Sequence, residues 1–317
     1  MKYFRSYPWG LQLLLFLLMI LTMIGAGSFM ILVLLPKLSG YNFTQIEGLN
    51  EHSPMSLIRT SVIVQGIMSL FIFLIPAWLF SYLTHPQPAK YVGLKAPGKA
   101  IQMILVLFIM LGAIPVLQMI ENLISHIDFG VKVRADQAAN DSLMNAFLTM
   151  PSFADFVRVF VVVAIIPAFG EEMFFRGVLM RFARKRTRTM AFPIIFTAAI
   201  FSYSHTNIYG YLSIFLAGVL LAVIYNLTGS LWCSIIAHLF FNGFQVILAY
   251  LGNNNNAIKG FMENTSMPFY YVILGAIVFC TAFYLLLKNK TPLPDNWTDD
   301  FPEEGPKEGD WDFMAKS

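Results

Sequence analysis

The chain has 317 residues, of which 57% are hydrophobic and only 12% charged, against roughly 45–50% and 25% in an average soluble domain. Its 21 Lys and Arg and 18 Asp and Glu crowd into a few short stretches, which excludes a single water-soluble domain. Apolar runs of about 20 residues match the hydrocarbon thickness of a bilayer, so the class is all-α, a polytopic membrane helix bundle.

In chain order, apolar segments fall at 10–36, 60–83, 100–120, 154–179, 190–206, 210–226, 230–252 and 268–287, predicting about eight transmembrane helices. Lys2 and Arg5 precede the first, and Gly25-Ala26-Gly27 loosely resembles a cleavage site. That run is far longer than the apolar core of a signal peptide, about 7–15 residues, and reads as a retained span. Cys233 and Cys280 both lie inside apolar runs and read as small apolar core residues. Residues 291–317 hold two lysines against eight acids and are rich in Pro and Gly. Such a composition buries too little apolar surface to fold, so a disordered acidic cytoplasmic tail is expected there.

Orientation follows from basic residues in the short loops. With a cytoplasmic N-terminus, twelve Lys and Arg fall inside and six outside, so both termini are expected to be cytoplasmic, at the plasma membrane if the cell is bacterial. The basic run from Arg181 to Arg188 reads as an orientation and anionic-lipid signal. Membrane lipids are thus expected partners and nucleic acid is not.

Glu171, Glu172 and Arg176 are the ionisable residues between Val159 and Met180. A charge at membrane depth costs about 2.5–3.5 kcal/mol on insertion scales, so the group needs compensation. Glu172 and Arg176 are four apart, about 40° around a helix, and can pair, whereas Glu171 is about 140° from Arg176 and faces elsewhere. His205 ends the run Phe201-Ser202-Tyr203-Ser204-His205. His238 and Asn242, again four apart, share a helix face. Counted at 1.5 Å per residue from the expected cytoplasmic ends, Glu171, His205 and His238 lie about 12–15, 20–23 and 12 Å deep. A carboxylate and two imidazoles from three helices are therefore expected near one level, in one polar cavity.

Glu-Glu-x-x-x-Arg, Phe-x-x-x-His and His-x-x-x-Asn, in this order on membrane helices, resemble the signature of the CPBP intramembrane proteases, which include the type II CAAX prenyl endopeptidases and bacteriocin-processing or immunity homologues. Tyr91-Val92-Gly93-Leu94-Lys95 is also similar to that family's approach to the following helix. On this resemblance residues 150–252 form the catalytic core helices. Residues 1–149 supply N-terminal transmembrane helices and loops, 253–290 the last transmembrane helix, and 291–317 the tail. The resemblance implies an endopeptidase acting on a membrane-associated protein or peptide, including prenylated CAAX-type proteins. It further implies that Glu171 activates a water with help from His205, that His238 and Asn242 stabilise the oxyanion, and that Glu172 and Arg176 hold the helix in place. A carboxylate shielded from water suits general-base work, and an amide beside an imidazole suits an oxyanion.

A metal-free mechanism is favoured, so no cofactor is expected. Zinc on Glu171, His205 and His238 is the alternative, because Glu plus two His is an acceptable catalytic ligand set even without His-Glu-x-x-His. An aspartyl protease would need deep aspartates, and the one Asp in a span, Asp155, lies at its extreme edge. The competing class is a non-catalytic membrane protein, a proton-coupled carrier or a scaffold, using the same polar cluster. The two halves of the chain show none of the inverted symmetry that a carrier leads one to expect.

Overall fold

A computed structural model describes residues 3–187, 189–205, 207–253, 255, 258, 260, 268–299 and 301, and among these every regular element is helical. The main helices are α1 (Trp9–Ser39), α2 (Met55–Thr84), α3 (Ile101–Ser125), α4 (Val131–Leu148), α5 (Phe153–Lys185), α6 (Ala191–Tyr203), α7 (Tyr211–Thr228), α8 (Leu231–Gly252) and α9 (Phe269–Lys288). All but α4 and α6 are long and apolar enough to cross a membrane, giving seven candidate spans. The segment expected at 190–206 is the apolar α6, but its 13 residues extend only about 20 Å. The polar α4 escapes a search for apolar runs because its sequence, VKVRADQAANDSLMNAFL, has no long apolar stretch.

Prolines shape the long helices. Pro36, Pro76 and Pro167 each follow a π-helical widening, at Met30–Leu34, Leu70–Leu74 and Phe160–Ile165. Proline offers no N–H and its ring collides with the carbonyl four residues earlier, so the preceding turn opens. In α5 a second widening, Glu172–Leu179, begins at the intramembrane charges. The start of α5 is locked to α2 by the buried Asp155, which accepts from Arg59 Nε at 2.8 Å, Arg59 Nη2 at 3.0 Å, Arg158 Nη1 at 2.5 Å and Ser152 Oγ at 2.6 Å.

Helices α3 and α9 touch backbone to backbone at Gly112, where a Cβ would sit 2.5 Å from Phe279 N and 2.6 Å from Gly275 O. Small residues at such a crossing let membrane helices gain dispersion contacts that lipid does not supply. The largest apolar cluster runs from Phe16 of α1 through Phe80, Phe174, Phe182 and Phe201 to Phe301, so elements from both halves of the chain share it. Of the two cysteines, Cys233 is buried and Cys280 is exposed on α9. The core reading therefore holds for Cys233 only, because an apolar run does not show which helix face meets protein.

Two pairs of segments flanking the basic loops meet in the bundle. Leu231 N donates to Gly93 O at 2.9 Å and Ser230 Oγ to Lys95 O at 2.5 Å. Trp9 Nε1 reaches Phe182 O at 3.2 Å, and Arg186 stands 4.5 Å over the Trp9 ring.

The expectation of a disordered tail is corrected over its first part. Thr291 N and Leu293 N donate to Leu227 O and Asn226 O at 2.8 and 3.0 Å, supplying donors to carbonyls that the end of α7 leaves without intrahelical partners. Trp297 packs edge-on against Tyr225, and Phe301, fully buried, lies 4.8 Å from Phe182 between ring centroids. Arg181 lies over the rings of Tyr91, Trp297 and Phe301. Net charge and Pro content, averaged over the segment, conceal these aromatic anchors; residues 300 and 302–317 lie outside the described residues. Full burial of Phe301 contributes about 1.5–3 kcal/mol. Deleting residues 291–317 is therefore expected to lower the thermal unfolding temperature in detergent, and an unchanged temperature would contradict this docking.

Candidate active site

The charges of α5 are resolved by the two helices packed over them. Glu172 and Arg176 are both completely buried and pair at 2.7 Å between Oε1 and Nη1, as their four-residue spacing predicts. Arg176 Nη2 then crosses to α7 and donates to Gly218 O at 2.8 Å. Gly218 also lets α6 pack closely on α7, since a Cβ there would lie 3.1 Å from the Phe201 ring and 3.3 Å from Ala198 Cα. The guanidinium also stacks over Phe201, 4.8 Å from its centroid, an attraction that strengthens when the cation is desolvated.

Glu172 does more than neutralise Arg176. Its Oε1 lies 2.9 Å from His238 Nδ1, and its Oε2 accepts from Ser234 Oγ at 2.5 Å. An ionised carboxylate is an acceptor only, so the proton between Glu172 and His238 belongs to Nδ1. The other ring nitrogen, Nε2, faces a donor, the Asn242 amide, and therefore turns a lone pair toward it. It receives Asn242 Nδ2 at 3.3 Å and lies 3.9 Å from Glu171 Oε2. The imidazole is thus held between two consecutive carboxylates, bonded to one and within one water diameter of bonding the other.

Asn242 is tied to α5 as well as to His238. Its Nδ2 donates to Val163 O at 3.0 Å, the carbonyl four residues before Pro167, which an ordinary α-helix would have bonded to the missing proline N–H. Both amide protons are engaged, so service to an oxyanion requires release of one.

Glu171, Glu172, Arg176, His238 and Asn242 therefore come together, and His205 does not join them. Its Nδ1 lies 2.7 Å from Phe201 O on its own helix, and its ring is exposed. Phe201 packs against both imidazoles, with centroids 4.7 Å from His205 and 5.9 Å from His238. Counting depth along helices places both histidines at similar levels, but it carries no information about direction around the bundle. Among the described residues no three His, Cys, Asp or Glu side chains group as a metal site. The set Glu171, His205 and His238 does not fit zinc in this arrangement, because ligands must stand about 2.0–2.2 Å from one ion.

Sequence reasoning missed Ser234, although 234, 238 and 242 repeat every four residues along one face of α8. It also missed the carbonyls of Gly218 and Val163, which no side-chain pattern reveals. Glu171 Oε2 is buried and accepts no hydrogen bond from any described residue. Such an atom in a native interior points to a functional demand or a bound water.

Residues 153–244 match the family model described as type II CAAX prenyl endopeptidase Rce1-like, which bears out the resemblance carried by the three motifs. No curated protein and no solved structure matches the chain.

Removing Arg176 would leave the Glu172 charge buried without its partner, which costs about 3–5 kcal/mol. Arg176→Ala is therefore expected to unfold far below the parent temperature, and Arg176→Lys, which keeps charge but not the fork to Gly218, at an intermediate one. Thermal unfolding followed by intrinsic fluorescence reads both; a wild-type melt for Arg176→Ala would refute the assignment.

Proposed function

We propose that the chain, whose residues 153–244 carry the type II CAAX prenyl endopeptidase match, is an intramembrane endopeptidase that hydrolyses a peptide bond of a membrane-associated protein or peptide. The observation that carries this reading is the buried Glu171 Oε2, without a hydrogen bond among the described residues, 3.9 Å from His238 Nε2. Two groups at that spacing can hold one water between them at ordinary hydrogen-bond distance from each.

In this reading Glu171 takes a proton from the water as its oxygen attacks the scissile carbonyl carbon. The same carboxyl returns the proton to the amine as the C–N bond breaks. The negative charge that builds on the carbonyl oxygen needs a donor. His238 supplies one when its Nε2 takes a proton from solvent ahead of substrate binding and returns it after product release, and Glu172 on Nδ1 compensates the imidazolium charge while it lasts. Asn242, released from Nε2, supplies a second. Glu172 and Arg176 set the position of the imidazole, and His205, against Phe201, is assigned to contact with substrate. No step requires a metal. Prenylated CAAX-type proteins are the substrate class that the family match favours, approached from the end of the bundle that the basic loops assign to the cytoplasm.

The test uses the full chain in lipid vesicles with a farnesylated, fluorogenic CAAX peptide. Loss of a general base costs about 10²–10⁴-fold, so Glu171→Gln is expected to lose at least that much kcat while melting like the parent. Wild-type cleavage by Glu171→Gln would overturn the reading. Protein stripped of metal is expected to keep its activity; loss to a chelator with recovery on adding zinc would overturn the metal-free route.

A further inference from the structure

We infer that Ser234 is a positioning residue of this site, the donor that fixes the Glu172 carboxylate and, through it, the tautomer of His238. The inference rests on the hydrolytic reading above and extends it to a residue that no motif contains.

Ser234 is completely buried on α8, one turn before His238. Its Oγ lies 2.5 Å from Glu172 Oε2 and 3.1 Å from Leu221 O. A hydroxyl has one proton, and two oxygens at the shorter distance repel unless a proton lies between them. Glu172 is ionised by its pairing with Arg176, so that proton belongs to Ser234 and points at the carboxylate. Leu221 O is then a neighbour and not the acceptor.

The consequence lies in the division of the two Glu172 oxygens. Oε1 holds Arg176 Nη1 and His238 Nδ1 at 2.7 and 2.9 Å, and Oε2 holds Ser234. The terminal torsion of a glutamate is broad and roughly twofold. Two partners on one oxygen therefore leave the carboxylate plane free to swing, while a short bond on the other oxygen stops it. Without Ser234, Oε2 is a buried anionic oxygen with no donor, and the carboxylate turns toward the Arg176 fork. His238 Nδ1 then loses its acceptor, and Nε2 no longer presents its lone pair steadily toward Glu171 and Asn242. Ser234 touches no reacting atom; it acts through Glu172 and His238.

A structural tie between α8 and α5 would predict a change in stability alone, so the test reads the imidazole itself. In full-length protein labelled with 15N-histidine, the His238 ring is expected to show one neutral tautomer, protonated at Nδ1. Ser234→Ala is expected to give a mixture of tautomers, and Ser234→Thr, which keeps the hydroxyl, to restore the single form. This readout needs no substrate. With the farnesylated peptide, hydrogen bonds to charged groups being what they are, kcat of Ser234→Ala should fall about 10- to 100-fold. KM should stay within about twofold, since Ser234 meets no substrate, and Ser234→Thr should recover most of the rate. If Ser234→Ala does not fold, Ser234→Cys, nearly isosteric but a weak donor, takes its place in both assays. An unchanged His238 tautomer, or wild-type kcat without the hydroxyl, would overturn the inference. That failure is distinct from failure of the hydrolytic reading: an active Glu171→Gln overturns both, whereas an inactive Glu171→Gln beside an unaffected Ser234→Ala overturns only the role of Ser234.

Discussion

The arrangement depends on one ion pair that a membrane helix would ordinarily exclude. Glu172 and Arg176 face each other inside α5 with no exposure of either, in an environment where each unpaired charge costs several kcal/mol. Their pairing removes most of that penalty, but a carboxylate has more acceptor sites and a guanidinium more donors than one bond uses. Those surplus groups recruit the rest of the site. Arg176 turns outward to the Gly218 carbonyl of α7, while Glu172 turns to Ser234 and His238 of α8. Three helices are thereby fixed relative to one another by polar geometry, in a bundle whose apolar faces alone would tolerate sliding.

Proline chemistry supplies a second constraint at the same place. Pro167 opens α5 just before the charges and takes away the donor expected at Val163 O, and Asn242 fills that position. The helix that carries the acids is thus held by α8 at two points, one beside the π-helical widening that precedes Pro167 and one at the widening that starts with Glu172. Widened turns let two consecutive carboxylates flank a single imidazole. Glu171 is the member whose Oε2 accepts no hydrogen bond among the described residues, and the difference between the two acids is one of surroundings, since they are adjacent and chemically identical.

Much of this was legible in the sequence, and the parts that were not share a cause. The seven candidate spans follow from the length of apolar runs, though not the shortness of α6 or the existence of the polar α4, and the Glu172–Arg176 pair follows from a spacing of four, because both depend on neighbours along one chain. Contacts between helices depend on rotation about each helix axis, which composition does not encode. Hence the bond from Glu172 to His238, the exposure of His205 and the outward face of Cys280 had to be seen. Ser234 is an intermediate case, in register with His238 and Asn242 yet indistinguishable by pattern from any serine on an apolar helix. The tail misled for another reason, since Trp297 and Phe301 act individually and averages over 27 residues hide them.

The central claim is that Glu172 and His238 work as one unit across two helices, and a double-mutant cycle tests it most directly. Thermal or denaturant unfolding of Glu172→Gln, His238→Gln and the double variant gives their interaction free energy. Residues joined in one buried network couple by about 0.5–3 kcal/mol. The account predicts non-additivity in that range, with the double variant less damaged than the sum of the single ones. Strict additivity would mean that the two side chains do not sense each other, and would contradict it.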